Sequence, residues 1–261
     1  MLNRRTLIAA PPALLLASAT GGAPAGGLRW DSHYLLLRVS VNGKPVDALL
    51  DFNVKQTLLD RRHATNLGLD PAGNGIMIEA AGRHLGPLKP AVIDLTDYAN
   101  QLLRGRIGLV LARDLFAHGA WVIDLGTPSL SPVDPHSAHR GHSAPVSDRF
   151  GFATIPIAIN GIAAQAALGF QDMDQMRISA PFAARAGLAR SRGTAAVRRM
   201  AVTRADVAVD RLEIAGARIT DLDAALEAGD HAPDVWLGPA ILRRFRIGID
   251  LAASALWFDP A

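Results

Sequence analysis

Asp51 closes an apolar run, Val46 to Leu50, and is followed by Phe52 and Asn53. A carboxylate at the end of a buried strand can anchor a ligand, act as a base, or accept backbone N–H bonds and cap the turn that follows it. The chain repeats these surroundings without repeating the acid. A second apolar run, Ala163 to Leu168, ends in Gly169-Phe170-Gln171. Two further acids, Asp172 and Asp174, lie just beyond it. Moving Asp172 onto the position of Gly169 requires a slide of three residues, which reverses the faces of the strand because its side chains alternate. Asp124 and Asp250 recur at the ends of matching β-rich runs, the pattern of framework turn residues.

Other reactive groups offer less. His136, His139 and His142 recur every third residue, and imidazoles so spaced can take Zn or Cu if a rigid shell orients them. In a Pro- and Ser-rich stretch they read as a solvated loop, and we expect neither metal nor other cofactor. Arg190, Arg192, Arg198, Arg199 and Arg204 cluster in sequence and read as a solvated basic rim. The net charge is only +3 and no arginine-rich helix or aromatic-basic motif accompanies it, so nucleic-acid binding is not expected. The chain has no cysteine, which excludes disulfides, thiol catalysis and thiolate metal sites. No Gly-x-Ser-x-Gly, His-Glu-x-x-His, P-loop or dinucleotide fingerprint occurs.

The elements around Asp51 are written twice. Asn42-Gly43 and Asn160-Gly161 each separate alternating apolar runs, the signature of a two-residue hairpin turn. Each hairpin leads through a polar turn into an Ala-containing stretch that stops at Gly68-Leu69 or Gly187-Leu188. One extra residue in the second copy accounts for the offset. Arg106 to Leu130 and Trp236 to Leu256 repeat a further block, each with a Gly-containing apolar strand, a short helical stretch and a run ending in Asp124 or Asp250. A period of more than a hundred residues is too long for a solenoid and points to two similar β lobes. Ile76 to Ile93 reads as a hairpin around Ala81-Gly82-Arg83-His84, Ala205 to Ile219 as its counterpart, and Asp221 to Ala228 as a short helix.

Strand, acid triplet, short helix ending in Gly-Leu, then a late Gly-containing apolar strand resembles the framework of retropepsin-like and pepsin-like aspartic proteases. The resemblance covers nearly everything after residue 30. It implies an all-β fold of two tandem lobes with short helices. It also implies a mechanism in which each lobe supplies one Asp of a water-activating pair, a hydroxyl residue after each Asp ties the loops together, and Gly follows. On that pattern Asp51 takes the catalytic position of the first lobe, with Phe52 for the hydroxyl residue and Asn53 for the Gly. Gly169-Phe170-Gln171 takes the second, where the carboxylate is missing. The resemblance places the Arg83–His84 hairpin as a flap over the cleft. Phe52, Asn53, Arg83, His84, Gly169, Phe170 and Gln171 are thus the expected ligand-binding residues and Asp51 the residual catalytic one. An aromatic pair, Phe52 with Phe170, is expected in place of the hydroxyl tie.

The expected organisation is a signal peptide and leader over 1–27, a first lobe over 28–134, a His/Pro/Ser link over 135–149 and a second lobe over 150–261. Arg4-Arg5 followed by Leu7-Ile8 and an apolar run broken by Pro11-Pro12 reads as a twin-arginine export signal, with small-residue cleavage sites at Ala17-Ser18-Ala19 and Ala23-Pro24-Ala25. Export to the periplasm follows, without a stable membrane span once the signal is removed. The functional expectation is a pseudoenzyme holding an extended peptide, a protein or another envelope ligand between its lobes. Its rivals are an active endopeptidase pairing Asp51 with Asp172 or Asp174, and a structural or partner-binding envelope protein. Oligomeric state is not legible.

Overall fold

A computed structural model describes residues 27–31, 34–69, 75–96, 107–171, 174–188, 206–227 and 233–261. The expected signal segment, Asp172 and the cluster from Arg190 to Arg204 lie outside the described residues.

In the first half the strands are β1 (Leu28–Asp31), β2 (Tyr34–Val41), β3 (Lys44–Leu50), β4 (Leu58–Asp60), β5 (Ile76–Ala80), β6 (Arg83–Leu88), β7 (Ala91–Ile93), β8 (Leu109–Leu111), β9 (Ala120–Asp124) and β10 (Ser129–Val133). The second half has β11 (His142–Pro145), β12 (Ser147–Arg149), β13 (Phe152–Ile159), β14 (Ile162–Leu168), β15 (Met176–Ser179), β16 (Asp206–Ile214), β17 (Ala217–Glu227), β18 (Val235–Leu237), β19 (Phe245–Asp250) and β20 (Ala255–Pro260). Short helices at Arg61–Leu67, Pro135–Ala138, Ala180–Arg185 and Pro239–Leu242 and a 3-10 turn at Arg113–His118 join them. None of the described helices is long and apolar enough to cross a membrane.

Hairpin chemistry sets the local plan. Asn42-Gly43 and Asn160-Gly161 adopt positive φ at both positions, 47° and 82° in one and 50° and 83° in the other, as a type I′ turn demands. Ala81-Gly82 and Ala215-Gly216 make the same turn at matching places, with Ala carrying a φ of 49° and 44° that its Cβ disfavours. The strands assemble into β6-β5-β2-β3-β8-β4-β7, with β1 beside β2, in the first half and β12-β13-β14-β18-β15-β17-β16 in the second. In each half the strand leading to the triplet lies parallel to a short late strand: β3 to β8, and β14 to β18.

The halves are joined by a third sheet, β10-β9-β19-β20-β11, in which Val122 of the first half pairs with Gly248 of the second. The Pro/Ser/His-rich link over 135–149 is built into the sheets: it carries the Pro135–Ala138 helix, β11 of this sheet and β12 of the second-half sheet. Gly248 lies so close to the Ala138 carbonyl that a Cβ would sit 1.9 Å from its oxygen, so the crossing helix rests directly on the sheet.

The expected helix at Asp221 to Ala228 is a strand. Its residues through Glu227 belong to β17, where Leu222 faces Val209 and Ala224 faces Val207 on β16, all four buried. Cross-strand packing outweighs the modest helix propensity of a short Ala/Leu run. The helix stops are as expected. Asp60 caps Arg61–Leu67 by accepting from the Arg62 and His63 N–H groups, and Gly68 ends it at a φ of 68°.

Candidate functional site

Asp51 and Gly169 occupy equivalent backbone positions. The Asp51 N–H donates to the Leu111 carbonyl at 2.9 Å, and the Gly169 N–H to the Leu237 carbonyl at 2.8 Å. Each is the first residue beyond its strand, held against the last residue of its parallel neighbour. Only one of them carries an acid.

The Asp51 carboxyl is half-buried, and its Oδ1 accepts the Asn53 N–H at 2.9 Å. Burial pushes its pKa above the ordinary Asp value; the Asn53 and Val54 backbone N–H groups pull the other way and do not cancel the effect. A protonated or weakly acidic lone carboxyl can donate or accept a hydrogen bond. It cannot perform the two-carboxylate chemistry that the resemblance implies without a partner.

The triplet side chains divide the work differently from expectation. Phe52 and Phe170 do meet, with ring centroids 5.9 Å apart and planes tilted by 42°. Phe52 also packs edge-on to Phe116 at 5.4 Å, and Phe116 to Trp121 at 6.2 Å. Both triplet rings are essentially fully buried, so they form part of the core and present no surface to a ligand. The polar tie lies one residue further on. The Asn53 amide Nδ2 donates across the junction to the Leu168 carbonyl at 2.8 Å, and the Gln171 amide Nε2 donates to the Leu50 carbonyl. Each acceptor is the residue just before the opposite triplet, so the two bonds are related by the internal repeat. Gln171 makes a further contact, its Oε1 accepting the Leu35 N–H at 3.0 Å. The Asn53 Oδ1 is enclosed without a hydrogen-bond partner.

Arg83 and His84 do not join this junction. The Arg83 guanidinium lies 5.6 Å above the Trp121 ring, and a Cβ on Gly119 would come within 2.5 Å of its Nη1. The tip of the β5–β6 hairpin is therefore seated on β9 of the shared sheet. Its counterpart at Ala215-Gly216 leans on His142 of β11, where a Cβ on Gly216 would be 3.3 Å from the imidazole. The assignment of this hairpin as a flap is corrected accordingly: its turn packs down onto the joining sheet. His84 stands exposed on β6 opposite Glu79.

Of the two rival acids, Asp172 lies outside the described residues and Asp174 lies five residues beyond Gly169, two before β15. The three linker histidines diverge: His139 Nε2 pairs with Asp250 Oδ2 at 2.9 Å and stacks on Trp257 at 3.8 Å, whereas His142 sits at the Gly216 turn. Asp124 accepts from the Gly126 and Thr127 N–H groups, both at 2.9 Å, and Asp250 from Ala253 at 3.2 Å, a turn-capping role shared by both halves. The Asp250 carboxyl is held below the ordinary range: burial opposes its charge, but His139 and the Ala253 N–H outweigh that.

Sequence reasoning missed a second bridge between the halves. Asp148 on β12 takes Lys55 at 3.0 Å and Arg113 at 3.3 Å. It named Asn53 and Gln171 but not their role; an amide at the third position of both triplets was the available signal. Two of the better-formed cavities among the described residues lie elsewhere. One, of about 390 Å³, borders Pro156, Glu213, Gly216 and Arg218; the other, of about 150 Å³, borders Ser137, Arg140, Arg246 and Asp259.

No protein-family model matches the chain, and no curated protein does. Solved structures do. A retropepsin-like aspartic protease from Rickettsia conorii is 19% identical over 44% of this chain and 87% of its own, with a TM-score of 0.34. Basic 7S globulin from soybean is 12% identical and aligns over 88% of this chain and 92% of its own, with a TM-score of 0.52. At 88% of this chain, the likeness to the globulin extends into both halves. The chain has the all-β, two-lobed acid-protease fold.

Proposed function

We propose that the protein is an exported pseudoenzyme on an acid-protease frame, which does not hydrolyse peptides and holds an extended peptide or another envelope ligand between its lobes. The observation that carries the first part is Gly169 opposite Asp51, in loops whose amides are already engaged in tying the halves together. Water activation by a carboxylate pair needs two acids sharing a proton, and of the two equivalent positions, Asp51 and Gly169, one carries an acid. The second part rests on the frame, whose paired sheets offer strand edges to an extended chain. Export rests on the paired arginines and apolar run at the N-terminus.

The test is incubation of the mature protein and an Asp51→Asn variant with an unfolded protein substrate from acidic to neutral pH, followed by a peptide-array binding screen. No cleavage by either protein, with peptides retained, supports the reading. Cleavage by the wild type that the variant lacks establishes a peptidase and directs attention to Asp172. Neither cleavage nor retention leaves the frame as a structural envelope component.

A further inference from the structure

The outer face of the shared sheet carries a cavity on the far side from the triplets. Side chains alternate along β9, so Trp121 turns inward to Phe116 and Val122 turns the other way. Over Val122 the link between the halves crosses the sheet, pinned at two points. Gly248 lies beneath the Ala138 carbonyl, and a Cβ on Gly141 would come within 2.1 Å of the Phe258 carbonyl oxygen. Between these points His139 is held by Asp250 and stacked on Trp257. The backbones already touch, so the link cannot settle further onto the sheet. The gap left beside it is the cavity of about 150 Å³, bordered by Val122 and Val133 of the first half, Arg140 of the link, and Arg246 and Asp259 of the second half.

Its border is divided by chemistry. Val122 and Val133, both half-buried, line it with carbon, and Arg140 and Arg246 stand exposed at its rim. Neither guanidinium has an ion pair or a side-chain hydrogen bond among the described residues, whereas Lys55 and Arg113 both pair with Asp148. Arg246 faces Asp124 and Asp259 across the sheet. Asp124 is engaged with the Gly126 and Thr127 N–H groups, and Asp259 has no ion pair among the described residues. Two cations and one acid leave the rim with a net positive charge. Guanidinium groups favour carboxylates, which accept two parallel N–H bonds from one fork. A volume of about 150 Å³ suits a body the size of benzene and is well below that of drug-sized sites. We propose that this cavity binds a small monocarboxylate with a compact apolar body, its carboxylate between Arg140 and Arg246 and its carbons against Val122 and Val133. Asp259 at the rim disfavours a second negative charge on the ligand. The site is independent of the reading of Asp51.

Benzoate is the probe, titrated into the mature protein at low salt and followed by NMR at the backbone amides of Val122, Ser137 and Gly248, all at the border of the cavity. Saturable shifts at these amides are expected. Arg140→Gln and Arg246→Gln, both at exposed positions, should each weaken binding about tenfold or more. Urea denaturation midpoints of the unliganded variants should match the wild type, so that the loss is read as lost contact. Arg149→Gln, exposed on β12 and away from the cavity, should leave binding unchanged. Shifts that fail to saturate up to about 10 mM benzoate overturn the site. So does a loss on Arg149→Gln equal to that on Arg246→Gln, which reports general attraction to a basic chain. An equal response to benzyl alcohol overturns the role of the guanidinium groups, and an equal response to inorganic phosphate overturns that of the apolar lining.

Discussion

Gly169 lies where Asp51 lies. The two N–H groups donate to Leu237 and Leu111 at 2.8 and 2.9 Å, and the strands that deliver them are paired in the same way with short parallel neighbours. These two equivalent positions of the frame carry one carboxyl and one bare backbone. Around them the hydroxyl tie expected of such a frame is replaced by two amides, Asn53 and Gln171, and a buried ring pair.

Removing those amides should loosen the halves. Gln171→Ala leaves the Leu50 carbonyl and the Leu35 N–H without their partner, and Asn53→Ala leaves the Leu168 carbonyl. Each is expected to cost about 1–3 kcal/mol, with Gln171→Ala the larger because it loses two bonds. Urea denaturation of the single and double variants checks this. Because both bonds close one junction, the double variant should lose less than the sum of the singles.

Placing a hydroxyl at the middle position should not create a peptidase. Phe52→Thr empties a ring site packed against Phe116 and Phe170 and is expected to lose about 3–5 kcal/mol, the range of Phe truncations in cores. Thermal denaturation should show a lower midpoint, and a peptidase assay should show no gain.

The His139–Asp250 pair should protect the shared sheet at moderate pH. The Asp250 pKa is depressed in the folded protein, so its contribution is present above the ordinary carboxylate range and is lost as pH falls through the depressed value. Asp250→Asn should therefore lower stability near neutrality and flatten the acid side of the stability profile. Denaturation midpoints collected across the acidic range read both effects.

Gly169→Asp would place a second carboxyl opposite the first. Two like charges brought close raise the pKa of one of them, so this variant should be destabilised near neutral pH and recover as the pH falls. Adding Asp51→Asn should remove most of that pH dependence. Comparing the three proteins by urea denaturation at neutral and acidic pH decides the point.

Much of the frame was legible because its signals are local. Asn-Gly turns, the Gly68 stop and the doubled triplet each depend on a few adjacent residues. The bare position of the second triplet was legible, since Gly169 has no side chain in any fold. What was hidden depends on pairings between distant parts of the chain. The Arg83 hairpin was expected as a flap, but its turn is settled by Trp121 and Gly119 on a strand of the shared sheet. Asp221 to Glu227 is too short an apolar run for its period to distinguish helix from strand, and β16 decides it. Asn53 and Gln171 were read as ligand contacts because nothing local announces that an amide will reach a carbonyl in the other half.

The most direct measurement is the titration of the Asp51 side-chain carboxyl by carbon NMR in the wild-type protein. One step, displaced above the ordinary Asp range and indifferent to Asp174→Asn, is expected of an acid that stands alone. Two coupled steps, one depressed and one raised, would mean that Asp51 shares its proton with a second carboxylate and that the protein retains a peptidase dyad.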